Sequence, residues 1–176
     1  MVAPNSKLLK QRQGDALTIV QILPAMVSGG VERGTVEIAG AIQKHGGRAI
    51  VISRGGPMVR YLNRLGVTHY QLDVHTKNPF RWPQVRSRLK AILSRENADL
   101  VHVRSRVPAW IALPAAATLG IATVSTVHGR FIATSAFKRV YNRKLLKTDH
   151  VIAISNYVQE LITRQYVGVE GRLTVV

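Results

Sequence analysis

The residues with chemistry to offer stand at a few joins in the sequence. Gly29 and Gly30 sit side by side between an apolar run at 16–23 and a helix-like run that begins at Val31. Glycine gives up backbone entropy on folding, so a pair at such a join calls for a reason. Either the turn needs positive φ angles, or a ligand needs to come close to the backbone. A helix starting there points free N–H groups outward and suits a phosphate. The other joins carry Arg54, Gly55 and Gly56; His75 and Lys77; Arg104, Ser105 and Arg106; His128, Gly129 and Arg130; and Ser155 and Asn156. These are glycines, hydroxyls, arginines, histidines, a lysine and an amide with no carboxylate among them, an edge suited to an anion. His128 is the most pointed: it closes an apolar run, and Gly129 leaves room beside it. A histidine there either hydrogen-bonds a sugar hydroxyl or phosphate, or packs as a satisfied strand-end residue.

These residues act together only if the chain gathers them on one edge. Strand-like runs at 16–23, 48–53, 67–74, 99–103, 122–127 and 150–155 alternate with helix-like runs. The first helix, 31–45, places Val31, Thr35, Ile38, Ala39 and Ile42 on one face. Asn78 as a cap and Pro79 in the first turn open a helix with Trp82, Val85, Leu89, Ile92 and Leu93 at helical spacing. Another helix begins near Pro108, and a basic one covers 135–146. Strands alternating with helices imply right-handed crossovers. The expected fold is α/β, a Rossmann-like open parallel sheet with helices on both faces. Ligands of such sheets bind beyond the carboxyl ends of the strands, where all the joins fall. His102 lies inside a strand and is expected to be structural. Asp99 and Asp149 precede strands, at the opposite edge.

Composition bounds the partners. With 176 residues and 46% hydrophobic content, the chain makes one domain with a real core. Residues 1–15 are polar and basic and are expected to form a flexible arm, leaving 16–176 as the domain. The absence of cysteine excludes disulfides and thiolate metal sites, and no metal site is expected. The net charge of +16 directs attention to nucleic acid, anionic lipid or phosphorylated small molecules. Nucleic acid is disfavoured, because the few aromatics are not interleaved with the basic strand-end residues. The uncharged stretch 107–127 has the length of a bilayer span, but Pro108, Pro114 and Gly120 divide it into helix, turn and strand. In 137–147, Phe137, Val140, Tyr141, Leu145 and Leu146 can form an apolar side, while Lys138, Arg139, Arg143, Lys144 and Lys147 supply charge. That pattern suits an anionic membrane surface and equally a core-facing helix with a solvated basic face. The glycine turn does not read G-x-G-x-x-G, and Arg54 stands where a dehydrogenase would carry an acid, which leaves an NADP enzyme open. There is no P-loop, no G-x-S-x-G, no H-E-x-x-H and no carboxylate pair at a usable spacing.

Taken in order, "ILPAMVSGGVERGTVEIAGAIQKHGGRAIVIS", "SRGGPMVRYLNRLGV", "ADLVHVRSRVPAW", "VSTVHGRF" and "DHVIAISNYVQELI" resemble the N-terminal half of GT-B glycosyltransferases, most closely the retaining, glycogen-synthase-like family four. The resemblance covers 17–176. It implies two Rossmann-like domains facing across a cleft, the N-terminal one holding the acceptor and the C-terminal one most of the donor. It also implies that Gly29 and Gly30 approach the donor phosphates and that His128, as the catalytic residue, lies beside the transferred sugar. Acceptor contacts would fall on Glu32, Arg54, Arg104, Ser105 and Arg130. The co-substrate would be a UDP- or GDP-sugar, with no tightly bound cofactor. The acceptor would be a lipid-linked or lipopolysaccharide-type glycan, met by a cytoplasmic protein peripheral to the inner face of the membrane through Lys138, Arg139, Arg143, Lys144 and Lys147. The sequence stops at "RLTVV", where the resemblance would cross into the second domain. The donor domain is therefore expected outside this chain, on a missing domain or a partner subunit, and the chain alone is expected to be inactive. The alternative is a stand-alone basic Rossmann-like module for anionic ligands, membrane lipid or nucleic acid, or a subunit of a split glycosyltransferase.

Overall fold

The computed structural model describes residues 16–129 and 131–176; the expected arm at 1–15 and Arg130 lie outside the described residues. Among the described residues there are seven strands: β1 (Thr18–Ile22), β2 (Arg48–Ser53), β3 (Thr68–Gln71), β4 (Leu100–Val103), β5 (Ala122–Val127), β6 (His150–Ala153) and β7 (Leu173–Val175). They form one sheet in the order β3-β2-β1-β4-β5-β6-β7, and every neighbouring pair is parallel. The helices are α1 (Gly30–Lys44), α2 (Val59–Arg64), α3 (Trp82–Arg95), α4 (Arg106–Leu119), α5 (Ala136–Arg143) and α6 (Asn156–Gln165). The expected α/β sheet is therefore the observed one.

The near-continuous apolar runs follow from burial on both faces. In β2, Ile50 and Ile52 join a large core with residues of α3, α4 and α6, while Ala49 and Val51 join a smaller one under α1 and α2. Alternate side chains of one strand thus feed opposite layers. Carboxylates gather at the amino ends of the strands, as the sequence suggested. Asp99 Oδ2 accepts from the Thr18 amide at 2.8 Å, and Asp149 Oδ2 accepts from the Thr123 amide at 2.8 Å. Strand order reverses between β1 and β4, which opens a crevice at their carboxyl ends.

Several local readings need correction. Ile38 turns to solvent, while Thr35 and Ala39 are buried. The Asn78 side chain does cap, accepting from the Phe80 amide at 3.0 Å, but it caps a 3-10 turn at Pro79–Arg81 that precedes α3. α4 begins at Arg106, ahead of Pro108, and ends at a left-handed Gly120, after which the chain returns as β5. No described helix is long and apolar enough to cross a membrane. α5 stops at Arg143, and its expected apolar side is split: Leu145 and Leu146 are buried beyond its end, but Phe137 is 82% and Val140 61% exposed. A purely core-facing α5 is thereby ruled out.

Candidate functional site

The two glycines at the start of α1 serve different ends. Gly29 has φ 147° and ψ 177°, a conformation almost confined to glycine, so it makes the turn from β1 into α1. Gly30 has an ordinary φ, and a Cβ built on it meets nothing within 4 Å. Its missing side chain is not required by packing; it keeps space open in front of the helix. No side chain caps α1, so its first N–H groups lack helical partners and carry the positive end of the dipole. The Glu32 side chain bends back towards that end, its Oε2 2.7 Å from where a Cβ on Gly29 would stand.

A polar row crosses the sheet beneath α1. Gln21 of β1 lies beside His102 of β4 in register, and both are buried. Gln21 Nε2 donates to the Thr35 carbonyl at 3.0 Å, and Gln21 Oε1 accepts from Arg104 Nη1 at 2.9 Å. His102 Nε2 pairs with Thr126 Oγ1 at 2.7 Å. Arg104 is only 4% exposed, and Gly34 makes room for it: a Cβ there would stand 3.1 Å from Arg104 Nη2. Burial lowers the Arg104 pKa to about 10, opposed by the Glu32 carboxylate, so the guanidinium stays charged. Burial first, then Arg104 and His128, pushes His102 down to about 3. Burial and then Arg104 push His128 down to about 4. At neutral pH both imidazoles are uncharged hydrogen-bonding groups.

Beyond this row lies a cavity of about 370 Å³ at the carboxyl ends of β4 and β5. His75, Arg104, Ser105, Thr126 and His128 line it, with Phe131 as an apolar wall. Three buried atoms in it have no partner: His75 Nδ1, Arg104 Nε and His128 Nε2. The structure thus brings Arg104, Ser105 and His128 together, and leaves others apart. Glu32 and Arg54 do not line this cavity; Arg54 is exposed, and its carbonyl accepts from Gln71 Nε2. Gly29 borders a separate cavity of about 520 Å³ on the α2 side, with Val27, Arg33, Met58 and Tyr61. Arg130 lies outside the described residues. Lys138, Arg139, Arg143 and Lys147 are exposed, whereas Lys144 turns inward, its Nζ 5.4 Å from the Trp110 ring centre. Sequence reasoning missed Gln21 and Thr126. The signals were a glutamine within the apolar run TIVQI and a glycine, Gly34, in the interior of a helix.

The model of Glycosyltransferase Family 4 matches residues 28–176. The chain belongs to Glycosyltransferase Family 4. A glycosyltransferase from Rickettsia africae is 36% identical and superposes with a TM-score of 0.81, over 92% of this chain and 43% of its own. HepE of Anabaena, solved with UDP-glucose, is 16% identical with a TM-score of 0.75, over 91% of this chain and 43% of its own. Sucrose-phosphate synthase of Thermosynechococcus elongatus is 14% identical with a TM-score of 0.68, over 91% and 47%. The latter two likenesses are of fold. No curated protein matches the chain. This family-four domain spans less than half the length of the solved proteins it resembles.

Proposed function

We propose that this domain is the N-terminal, acceptor-side half of a hexosyltransferase that moves a sugar from a UDP- or GDP-sugar to a glycan acceptor. The observation that carries the reading is the open space before Gly30, at an uncapped helix start beside the Arg104–His128 edge. A diphosphate suits that place, because backbone N–H groups and the dipole favour anions, and the side chain that stands there is Glu32. Glu32 then has to swing away, which frees it for the acceptor side. His128, neutral at pH 7, serves as a hydrogen-bonding group to the transferred sugar rather than as a proton acceptor, for which a pKa nearer the working pH is better suited. Arg104 and Ser105 border the acceptor. Family membership and the UDP-glucose held by HepE, a neighbour in fold, support a nucleotide-sugar donor.

In this reading the remaining donor contacts come from a second domain, which the 43% coverage of the Rickettsia protein supports. The acceptor is lipid-linked or a lipopolysaccharide-type glycan, reached from the cytoplasmic face of the membrane through Lys138, Arg139, Arg143 and Lys147 on and beside α5. Titration of the ¹⁵N-labelled chain with UDP-glucose and GDP-glucose tests the core of the proposal. The amides of Gly29 to Glu32 should shift, and Gly30→Val should abolish the shifts while leaving the rest of the spectrum intact. Unmoved amides at this turn, or shifts that survive the valine, would refute donor binding. Rapid sugar transfer by the isolated 176-residue chain would refute the division of labour between two domains.

A further inference from the structure

We propose that the junction of α3, α4 and α5 is a headgroup site. It holds the phosphate of one anionic membrane phospholipid, whose acyl chains lie against Phe80 on the α3 side and Phe137 and Val140 on the α5 side. This rests on the membrane reading above and gives it a defined lipid contact. Two tryptophans stack at the junction, Trp82 of α3 on Trp110 of α4, with ring centres 6.0 Å apart. Lys144, the residue after α5, places its Nζ 5.4 Å from the Trp110 ring centre. Arg86 lies one turn beyond Trp82 on the same face of α3. The Trp82 indole N–H donates to the Thr76 carbonyl at 3.0 Å and is satisfied. The Trp110 indole N–H and the Arg86 Nε–H are buried and have no partner. Native structures rarely leave such donors unpaired. A phosphate oxygen satisfies each of them, and Lys144 supplies a third, charged donor.

Charge selects an anion. No Asp or Glu occurs in 74–95 or in 100–148, so none stands on α3, α4 or α5. No described carboxylate forms an ion pair with Arg86 or Lys144. Lys144 is half-buried, and burial first, then Lys147 and Arg86, lowers its pKa. A cation crowded by cations gains from a phosphate, whereas a choline headgroup brings a further positive charge. The surroundings select a lipid over a soluble phosphate. Phe80, two residues before Trp82, is 91% exposed. Phe137, Val140 and Lys144 follow at spacings of three and four, and Lys144 keeps helical angles of φ −58° and ψ −41°, so the three share one row along α5. Tryptophans beside exposed apolar side chains and a cation suit the interface of a bilayer. Donor and acceptor do not account for this cluster: Trp82, Arg86, Trp110 and Lys144 line neither the cavity beside Gly29 nor the one beside His128.

Trp82 and Trp110 are the only tryptophans of the chain, so intrinsic fluorescence of the whole protein reads the site directly. The probes are dihexanoyl phosphatidylglycerol below its micelle concentration, dihexanoyl phosphatidylcholine, glycerol 3-phosphate and inorganic phosphate. Phosphatidylglycerol should change the emission saturably and bind about tenfold more tightly than each of the other three. Saturating UDP-glucose should not displace it. Arg86→Gln and Lys144→Gln should each weaken it several-fold with the thermal midpoint unchanged, since neither side chain belongs to the core. Equal binding of inorganic phosphate or glycerol 3-phosphate would make this a site for soluble anions and overturn the inference. Equal binding of phosphatidylcholine, displacement by UDP-glucose, or full affinity in both variants would overturn it as well. If phosphatidylglycerol-containing vesicles bind the protein while the short-chain lipid leaves the tryptophans unmoved, the headgroup site falls and the membrane reading stands. If neither binds, both fall.

Discussion

Single residues at this edge separate what folds the chain from what would bind. Gly29→Ala places a Cβ in a backbone region that L-residues avoid and should cost about 2 kcal/mol in denaturant unfolding. Gly30→Ala meets open space at an ordinary φ and should leave stability within about 0.5 kcal/mol. If both cost the same, the claim that the second glycine serves a ligand loses its structural basis. The histidines make a second prediction. His102 and His128 have folded pKa values of about 3 and about 4, below the ordinary 6.5. Between those values the unfolded chain binds the extra protons. Their contribution is therefore full above pH 6.5 and is lost as pH falls towards 4, and a buried histidine such as His102 costs up to about 1.4 kcal/mol per pH unit. The thermal midpoint should drop from about pH 6.5 to about pH 4.5, and His102→Gln should flatten that slope. An unchanged slope in the variant would assign the acid sensitivity elsewhere.

Elements explain which residues could be read in advance. β1, α1, β4 and β5 were legible because apolar runs alternate with helical spacing, and their ends delivered Gly29, Arg104 and His128 to one edge. The burial of Arg104 was not legible, since an arginine after a short strand normally reaches solvent. It is buried because Gly34 opens α1 above it and Gln21 accepts from it across β1 and β4. Such packing depends on three segments far apart in sequence. α5 misled for a different reason: helical spacing defines an apolar stripe but not whether anything covers it. At the opposite edge, Glu96 follows α3 and ties three elements together. It accepts from the Tyr70 hydroxyl at 2.6 Å and from Arg95 Nε at 3.1 Å, and it pairs with Arg48. The Tyr70 hydrogen bond, ahead of Arg48 and Arg95, lowers its pKa to about 2. Glu96→Gln should cost about 2 kcal/mol in urea unfolding. It should leave the UDP-glucose shifts at Gly29 to Glu32 unchanged, because the lesion lies at the amino ends of the strands. A change in those shifts would mean that the two edges are coupled.

At the scale of the whole molecule, charge and shape point the same way. A net charge of +16 on a chain with nine acids leaves most of its cations without carboxylate partners, and only three ion pairs occur among the described residues. On α5, exposed Phe137 and Val140 stand among Lys138, Arg139 and Arg143, so apolar area and positive charge meet on one patch. Each cation near an anionic bilayer contributes about 1 kcal/mol, and an inserted aromatic adds apolar burial that salt does not screen. Co-sedimentation with vesicles tests whether this patch is the membrane face. Binding to phosphatidylglycerol-containing vesicles is expected at about 50 mM salt, with a steep loss by about 300 mM and none to neutral phosphatidylcholine. Phe137→Ser with Val140→Ser should weaken binding about tenfold without moving the thermal midpoint, since neither side chain is part of the core. Binding that survives the double substitution would locate the membrane face on other cations, such as Arg33, Arg60 and Arg64 around Tyr61. Absence of binding at low salt would remove the membrane from the proposal, and the excess charge would then be explained by anionic substrates alone.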